Sequence, residues 1–396
     1  MSATEFEAFA EAMAKRPAPP APIARAFARV TVLGGGPEGR LLACLCLAEG
    51  AEVTLFSAYG AELAAIRAAG GTTLRGAGPI GTFAAGRETG PSIRLSAELD
   101  TALRGADLVF VTGPVLKQRT YAMVLAEHVA DGQVLALVPG RTLGALEAAW
   151  FLRAGGCEAD VVLAEVQALP WWAREDGATL HLTRARPALA AVLPSDRADV
   201  IRGLARFLPD LVPVRSVVES GFGDGSGVVE VPALVLGGPA APPPGPELPP
   251  GARPLPERDT FRALVGERHL AVVAAMAEER RRVAARYGVR DLPDTDEWLD
   301  AFAGTPAGEG ARPVPDASQA RRLLRCAVVG SLTPLLSAAE VAGTEVPVTS
   351  AMTTLAETLL GGDLAPAGRR LDTVGIGASD LDDARRTIEA IARGER

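Results

Sequence analysis

Three glycines, Gly34, Gly36 and Gly39, stand in "VLGGGPEGR" with the spacing G-x-G-x-x-G, directly after a β-branched run and at the head of an apolar helical pattern. There the first glycine permits a tight turn, the second lets backbone approach a pyrophosphate, and the third lets helix pack on strand. The helix N-terminus, with Pro37 and Glu38 in its first turn, adds unpaired N–H groups for an anion. The spacing alone is a weak signal; its place in a strand-turn-helix context puts a dinucleotide site well ahead of a plain glycine-rich turn. The next strand would ordinarily end in a carboxylate that accepts the ribose 2′-hydroxyl, but here the sequence reads Phe56-Ser57. A neutral hydroxyl does not repel a 2′-phosphate, so the expected cofactor is NADP, with NAD as the alternative. A later strand ends in "VTGPV", where Gly113 and Pro114 turn the chain beneath the cofactor.

Other polar residues are candidates for the chemistry itself. Glu230 is the lone carboxylate of "GVVEVPALVLGG" and reads either as an acid at the cleft or as a solvated or capping group. Gln118, just after "VTGPVLK", is a substrate contact or a surface amide. Arg141 and Thr142 follow Pro139-Gly140 at a helix start, a place that suits a carboxylate, although Arg141 could equally be a solvated charge. Of three histidines, His128 and His181 read as structural, and His269 as either a cleft group or a surface one. Trp171 and Trp172 either line a cleft or simply pack. The two lysines, Lys15 and Lys117, leave little for a mechanism built on an amine.

The cysteines narrow the chemistry further. Cys44, Cys46, Cys157 and Cys326 lie in apolar surroundings without a CxxC, which points to reduced thiols in a cytoplasmic protein and against a metal site. The net charge of -8, with no basic stripe, argues against nucleic acid. No apolar stretch is read as long enough to span a membrane, and the N-terminus lacks a secretory pattern.

The elements that must hold these residues follow from patterning. Residues 1–28 read as a short amphipathic helix and a proline-rich tether, with packing on a partner copy as one use. From Arg29 to Pro213, runs such as "EVTLFS", "DLVFVT", "QVLALV" and "DVVLAE" alternate with helical stretches, the signature of a doubly wound parallel sheet of Rossmann type. Residues 214–396 read as a mainly helical domain after a proline-rich loop from Ala241 to Asp259.

At "PGRTLGALEAAWFL" and "AEVQALPWWAR" the chain resembles the opine dehydrogenase family, from about Arg29 to the C-terminus. The likeness rests on the glycine-rich turn, Pro139-Gly140, Glu165 with Leu169-Pro170 and Arg174, and "SLTPLLSAAEVAG". It implies reduction by NAD(P)H of the imine formed between an α-keto acid and an amino group, with the substrates between two domains. It also implies that Arg322 holds a substrate carboxylate, with Arg325 as the next candidate. The family's proton-transfer histidine and its orienting aspartate fall on Val231 and Ala327. Three readings stay open: a substrate imine that is already protonated, a replacement group such as Glu230 or Gln118, or a nucleotide-binding homologue without dehydrogenase activity, used as a partner subunit or in a non-redox condensation or cyclisation.

Overall fold

The structure is a computed structural model that describes residues 25–237, 260–377 and 380–394. The expected N-terminal helix and tether, and the proline-rich loop, lie outside the described residues. The main sheet has eight strands in the order β12-β11-β8-β7-β6-β1-β2-β5. These are β1 (Arg29–Leu33), β2 (Glu52–Phe56), β5 (Arg94–Ser96), β6 (Leu108–Val111), β7 (Val134–Leu137), β8 (Val162–Val166), β11 (Leu189–Leu193) and β12 (Val212–Pro213). A smaller sheet, in the order β4-β3-β10-β9, contains β3 (Gly71–Gly76), β4 (Gly81–Ala84), β9 (Trp171–Asp176) and β10 (Thr179–Arg184).

Strand composition explains the layering. In β6, Leu108 and Phe110 enter one apolar cluster while Val109 and Val111 enter another, and Val134, Ala136, Leu135 and Leu137 of β7 divide in the same way. Both faces of these strands are therefore covered, which requires continuous apolar runs and helices on each side. The expected parallel sheet is modified at one edge, where β11 runs antiparallel to β8. The smaller sheet was not anticipated, because strands such as "GTTLRG" are short and polar and carry little periodic signal.

Beyond β12 the described chain is mainly helical, and the third apolar cluster lies there apart from Val115. The run "SGVVEVPALVL" forms the helix Ser226–Leu236 with Pro232 inside it, and every side chain from Ser226 to Leu234 is buried. Burial on all sides marks it as the central helix of this half. Residues Ala317–Val341 form 25 helical residues that are long and apolar enough to cross a membrane, with mean hydropathy 1.3, contrary to the sequence expectation. In this fold 72% of that window is buried against other elements, as in a core helix.

Candidate active site

The sheet order reverses at β1, which lies between β2 and β6, so a crevice opens over the carboxyl ends of β1 and β6. The glycine-rich turn sits at that crevice. Gly34 has a φ of +121°, and a Cβ on Gly39 would lie 1.9 Å from the Gly34 carbonyl oxygen. A Cβ on Gly36 would meet only Glu38 Oε2, at 3.8 Å, so the backbone there stays accessible. Gly36 caps the helix Pro37–Ala48 without any side-chain bond to its free N–H groups. A tight turn, an open glycine and an uncapped helix N-terminus fit the pyrophosphate of a dinucleotide. Pro37, Glu38 and Pro114 line the same cavity.

The cavity, about 290 Å³, runs from this turn to the helical half. Glu230 faces it and is only 4% exposed. Its Oε1 accepts from Arg312 Nη1 at 2.8 Å, and its Oε2 lies 3.5 Å from Arg141 Nη1 without any hydrogen-bond partner. Arg312 is held in turn by the Phe261 ring, whose centroid is 4.2 Å from the guanidinium carbon. Burial works to lower the Arg141 pKa, but the carboxylates of Glu230 and Asp224 outweigh it and leave it raised. Arg174 and Arg322 also line the cavity, and neither side chain has an ion pair or hydrogen bond among the described residues. The site thus offers four guanidinium groups and two carboxylates, Glu38 and Glu230, with Trp171 and Trp172 as apolar wall.

Behind this cavity a buried polar layer fixes the loop that carries Arg141. Arg141 and Leu143 adopt φ values of 63° and 62°, conformations that cost a non-glycine residue about 1–3 kcal/mol each. They persist because the loop is bonded from several sides. Arg369, fully buried, donates to the carbonyls of Gly140 at 2.7 Å and Thr142 at 3.2 Å, and pairs with Glu147 at 2.6 Å. Gln167 Nε2 donates to the Arg141 carbonyl at 3.3 Å, and the Thr142 N–H donates to Gly330 at 2.9 Å. Arg280 donates to Thr142 Oγ1 at 2.6 Å and to the Gly221 and Phe222 carbonyls. Burial draws the Arg280 pKa down to about 10, with Asp224 opposing, so it stays charged near neutral pH. Glu165 accepts the Ala145 N–H at 2.8 Å and so caps the helix Gly144–Ala154.

These positions sort the expected residues. Gly34, Gly36, Pro37, Glu38, Gly39, Pro114, Arg141, Glu230 and Arg322 gather at the turn and the cavity. Gln118 and Thr142 lie in the layer behind: Gln118 donates to the Pro139 carbonyl at 2.8 Å and accepts from Arg369 at 2.9 Å, which uses its amide within the protein. His269 turns to the Leu264 carbonyl at 3.1 Å, and neither it nor the other two histidines lines the cavity. Val231 and Ala327 are both 0% exposed and share one apolar cluster. Successive helical side chains point about 100° apart, which sends Glu230 to the cavity and Val231 into the core. Ser57 does not stand alone at the strand end: its hydroxyl donates to Glu62 Oε2 at 2.5 Å. Arg312, Arg280, Arg369 and Glu62 were missed: each sits in a helix or loop with no motif around it, and only the fold brings them in.

No family model matches the chain. An opine dehydrogenase from Arthrobacter sp. (strain 1C) is 24% identical over 378 residues, covering 90% of this chain and 98% of that protein. The chain is thus similar to that opine dehydrogenase along nearly its whole length. Its fold agrees with this: octopine dehydrogenase in complex with NADH and agmatine superposes with a TM-score of 0.69 at 19% identity, over 93% of this chain and 98% of that one. Yersinopine dehydrogenase with bound NADP+ superposes with a TM-score of 0.59 at 14% identity, over 92% and 99% of the two chains. The shared architecture is a Rossmann sheet followed by a mainly helical half.

Proposed function

We propose that this chain is a nicotinamide-dependent oxidoreductase that reduces the C=N bond of an imine on a substrate bearing a carboxylate. The observation that carries the reading is the Arg141–Glu230–Arg312 cluster, which faces a cavity whose opposite wall is the dinucleotide turn. The turn Gly34–Gly39 would hold the pyrophosphate of NAD or NADP; when bound, the reduced nicotinamide supplies a hydride to the substrate carbon. Arg174 and Arg322, with no protein partner among the described residues, are available to substrate carboxylates, and a guanidinium binds a carboxylate through two parallel hydrogen bonds.

Glu230 gives the cavity a fixed negative group with one oxygen unspent. That oxygen is buried between Arg312 and Arg141, so its charge holds the two guanidinium groups in place at the cavity wall. A protonated imine needs no further proton before hydride arrives. Val231 and Ala327, apolar at the positions where the family has its histidine and aspartate, support a substrate of this kind. The enclosing Trp171 and Trp172 limit water, which strengthens these electrostatic contacts.

The test is oxidation of NADH and NADPH by the purified full chain with panels of keto acids, with and without amines, and with preformed cyclic imine carboxylates. Turnover is expected only where a C=N bond and a carboxylate are both present or can form. Glu230→Gln should slow that turnover by about 10² or more while leaving nucleotide binding intact. Nucleotide binding without reduction of any panel member would sink the redox reading and favour a nucleotide-binding homologue acting as a partner subunit or in a non-redox condensation.

A further inference from the structure

The end of β2 carries a negative charge that the strand itself does not encode. Ser57 is buried, and its hydroxyl both donates to Glu62 Oε2 at 2.5 Å and accepts the Tyr59 N–H at 3.1 Å. Glu62 belongs to the first turn of the helix Gly60–Ala68 and leans back over the glycine-rich turn: a Cβ on Gly35 would lie 2.6 Å from its Oε2 and 3.2 Å from its own Cβ. The carboxylate is thus held against both the strand end and the turn that would receive the dinucleotide. Among the described residues Glu62 has no ion pair, and its Oε1 has no hydrogen bond. Burial first, and then the Glu62 charge, push the nearby Tyr121 hydroxyl up to about 12.

From this we propose that Glu62 selects the cofactor. Its carboxylate takes the role of the absent strand-end acid, accepting from the ribose 2′-hydroxyl of NAD and repelling the 2′-phosphate of NADP, so the chain prefers NAD. The inference rests on the reading that a nicotinamide dinucleotide occupies the crevice, and it reverses the preference expected from Ser57 alone. A carboxylate on the strand end and one displaced five residues onto the next helix reach the same place by different routes, and Ser57 fixes the second by a direct hydrogen bond. Among the described residues Glu62 has no ion-pair partner, so a doubly charged phosphate placed against it meets repulsion.

Binding of NADH and NADPH to the purified full chain, followed by calorimetry in the absence of substrate, tests this without relying on activity. Wild type should bind NADH at least roughly tenfold more tightly than NADPH. Raising ionic strength should narrow the gap by improving NADPH binding, because screening weakens the repulsion. Glu62→Gln, which keeps the shape and a bond to Ser57, should bring the two affinities within about threefold, mainly by a gain for NADPH. Equal or tighter binding of NADPH by wild type overturns the proposal. So does a ratio that neither salt nor Glu62→Gln changes, and the salt series decides the matter if the variant does not fold. If neither nucleotide binds, the oxidoreductase reading falls together with it, whereas an NADPH preference removes only the role given to Glu62.

Discussion

Glu165 shows how burial sets a titration. It is fully buried on β8, and burial raises its pKa from the ordinary 4.5 to about 7, while the Ala145 N–H, Ser220 and Arg369 pull the other way. The folded chain therefore keeps this proton at pH values where the unfolded chain releases it. Its stabilising contribution is full below about pH 4.5 and is lost as pH rises through about 7, a change of roughly 3 kcal/mol. In Glu165→Gln that part of the pH dependence should vanish: between pH 5 and 7.5 the unfolding midpoint of wild type falls relative to the variant. Parallel curves would show that Glu165 does not carry the proton. Among the candidate residues, Glu230 was visible in the sequence as a lone carboxylate in an apolar run, but its direction was not. Adjacent positions on a helix point to different surroundings, and only the packing of the helix Ser226–Leu236 decides which side chain, Glu230 or Val231, meets the cavity.

The loop from Pro139 to Leu143 depends on a side chain more than two hundred residues away. Arg369 binds two of its carbonyls, and with Glu147 and Gln118 it ties the loop to the helices around it. Arg369→Met would leave those carbonyls and part of the Glu147 charge unpaired in the interior, although Arg119 still reaches Glu147. The expected loss is about 3–5 kcal/mol of unfolding free energy, measurable by denaturant titration, and a loss below 1 kcal/mol would argue that the buried pair contributes little. Gly39→Ala should be as damaging for a different reason, since its Cβ meets backbone 1.9 Å away rather than a movable side chain. It should abolish nucleotide binding, and retained binding would mean that the turn is not the dinucleotide site. The glycine spacing announced this turn because its geometry is local. The Arg369 network had no such announcement, because it joins β-sheet loop to C-terminal chain through contacts that no sequence window contains.

Buried charges also join the two halves of the chain. Arg280, in the helix Glu267–Arg286, reaches Thr142 of the Rossmann half, and Arg141 reaches Glu230 of the helical half. With the interdomain layer this polar and this closed, neither half can leave without exposing unpaired partners, so the halves should unfold together. Calorimetry should show a single transition, and two separable transitions would contradict it. A saturating nucleotide should raise that transition, by about 2.7 kcal/mol at one hundred times its Kd. The broad plan was legible in the sequence, because alternating apolar runs and long helical patterns report burial directly. The antiparallel edge at β11 and the smaller sheet were not, because their strands are short and their pairing is decided by tertiary position. The reaction proposed for the whole arrangement is hydride delivery to a C=N carbon beside a guanidinium-bound carboxylate. Reaction of the full chain with deuterium-labelled reduced nicotinamide, a keto acid and an amino donor, followed by mass spectrometry of the products, addresses this. A secondary amine carrying one deuterium on the carbon between nitrogen and carboxylate is expected; a deuterated hydroxy acid alone, or no labelled product while nucleotide binds, would contradict it.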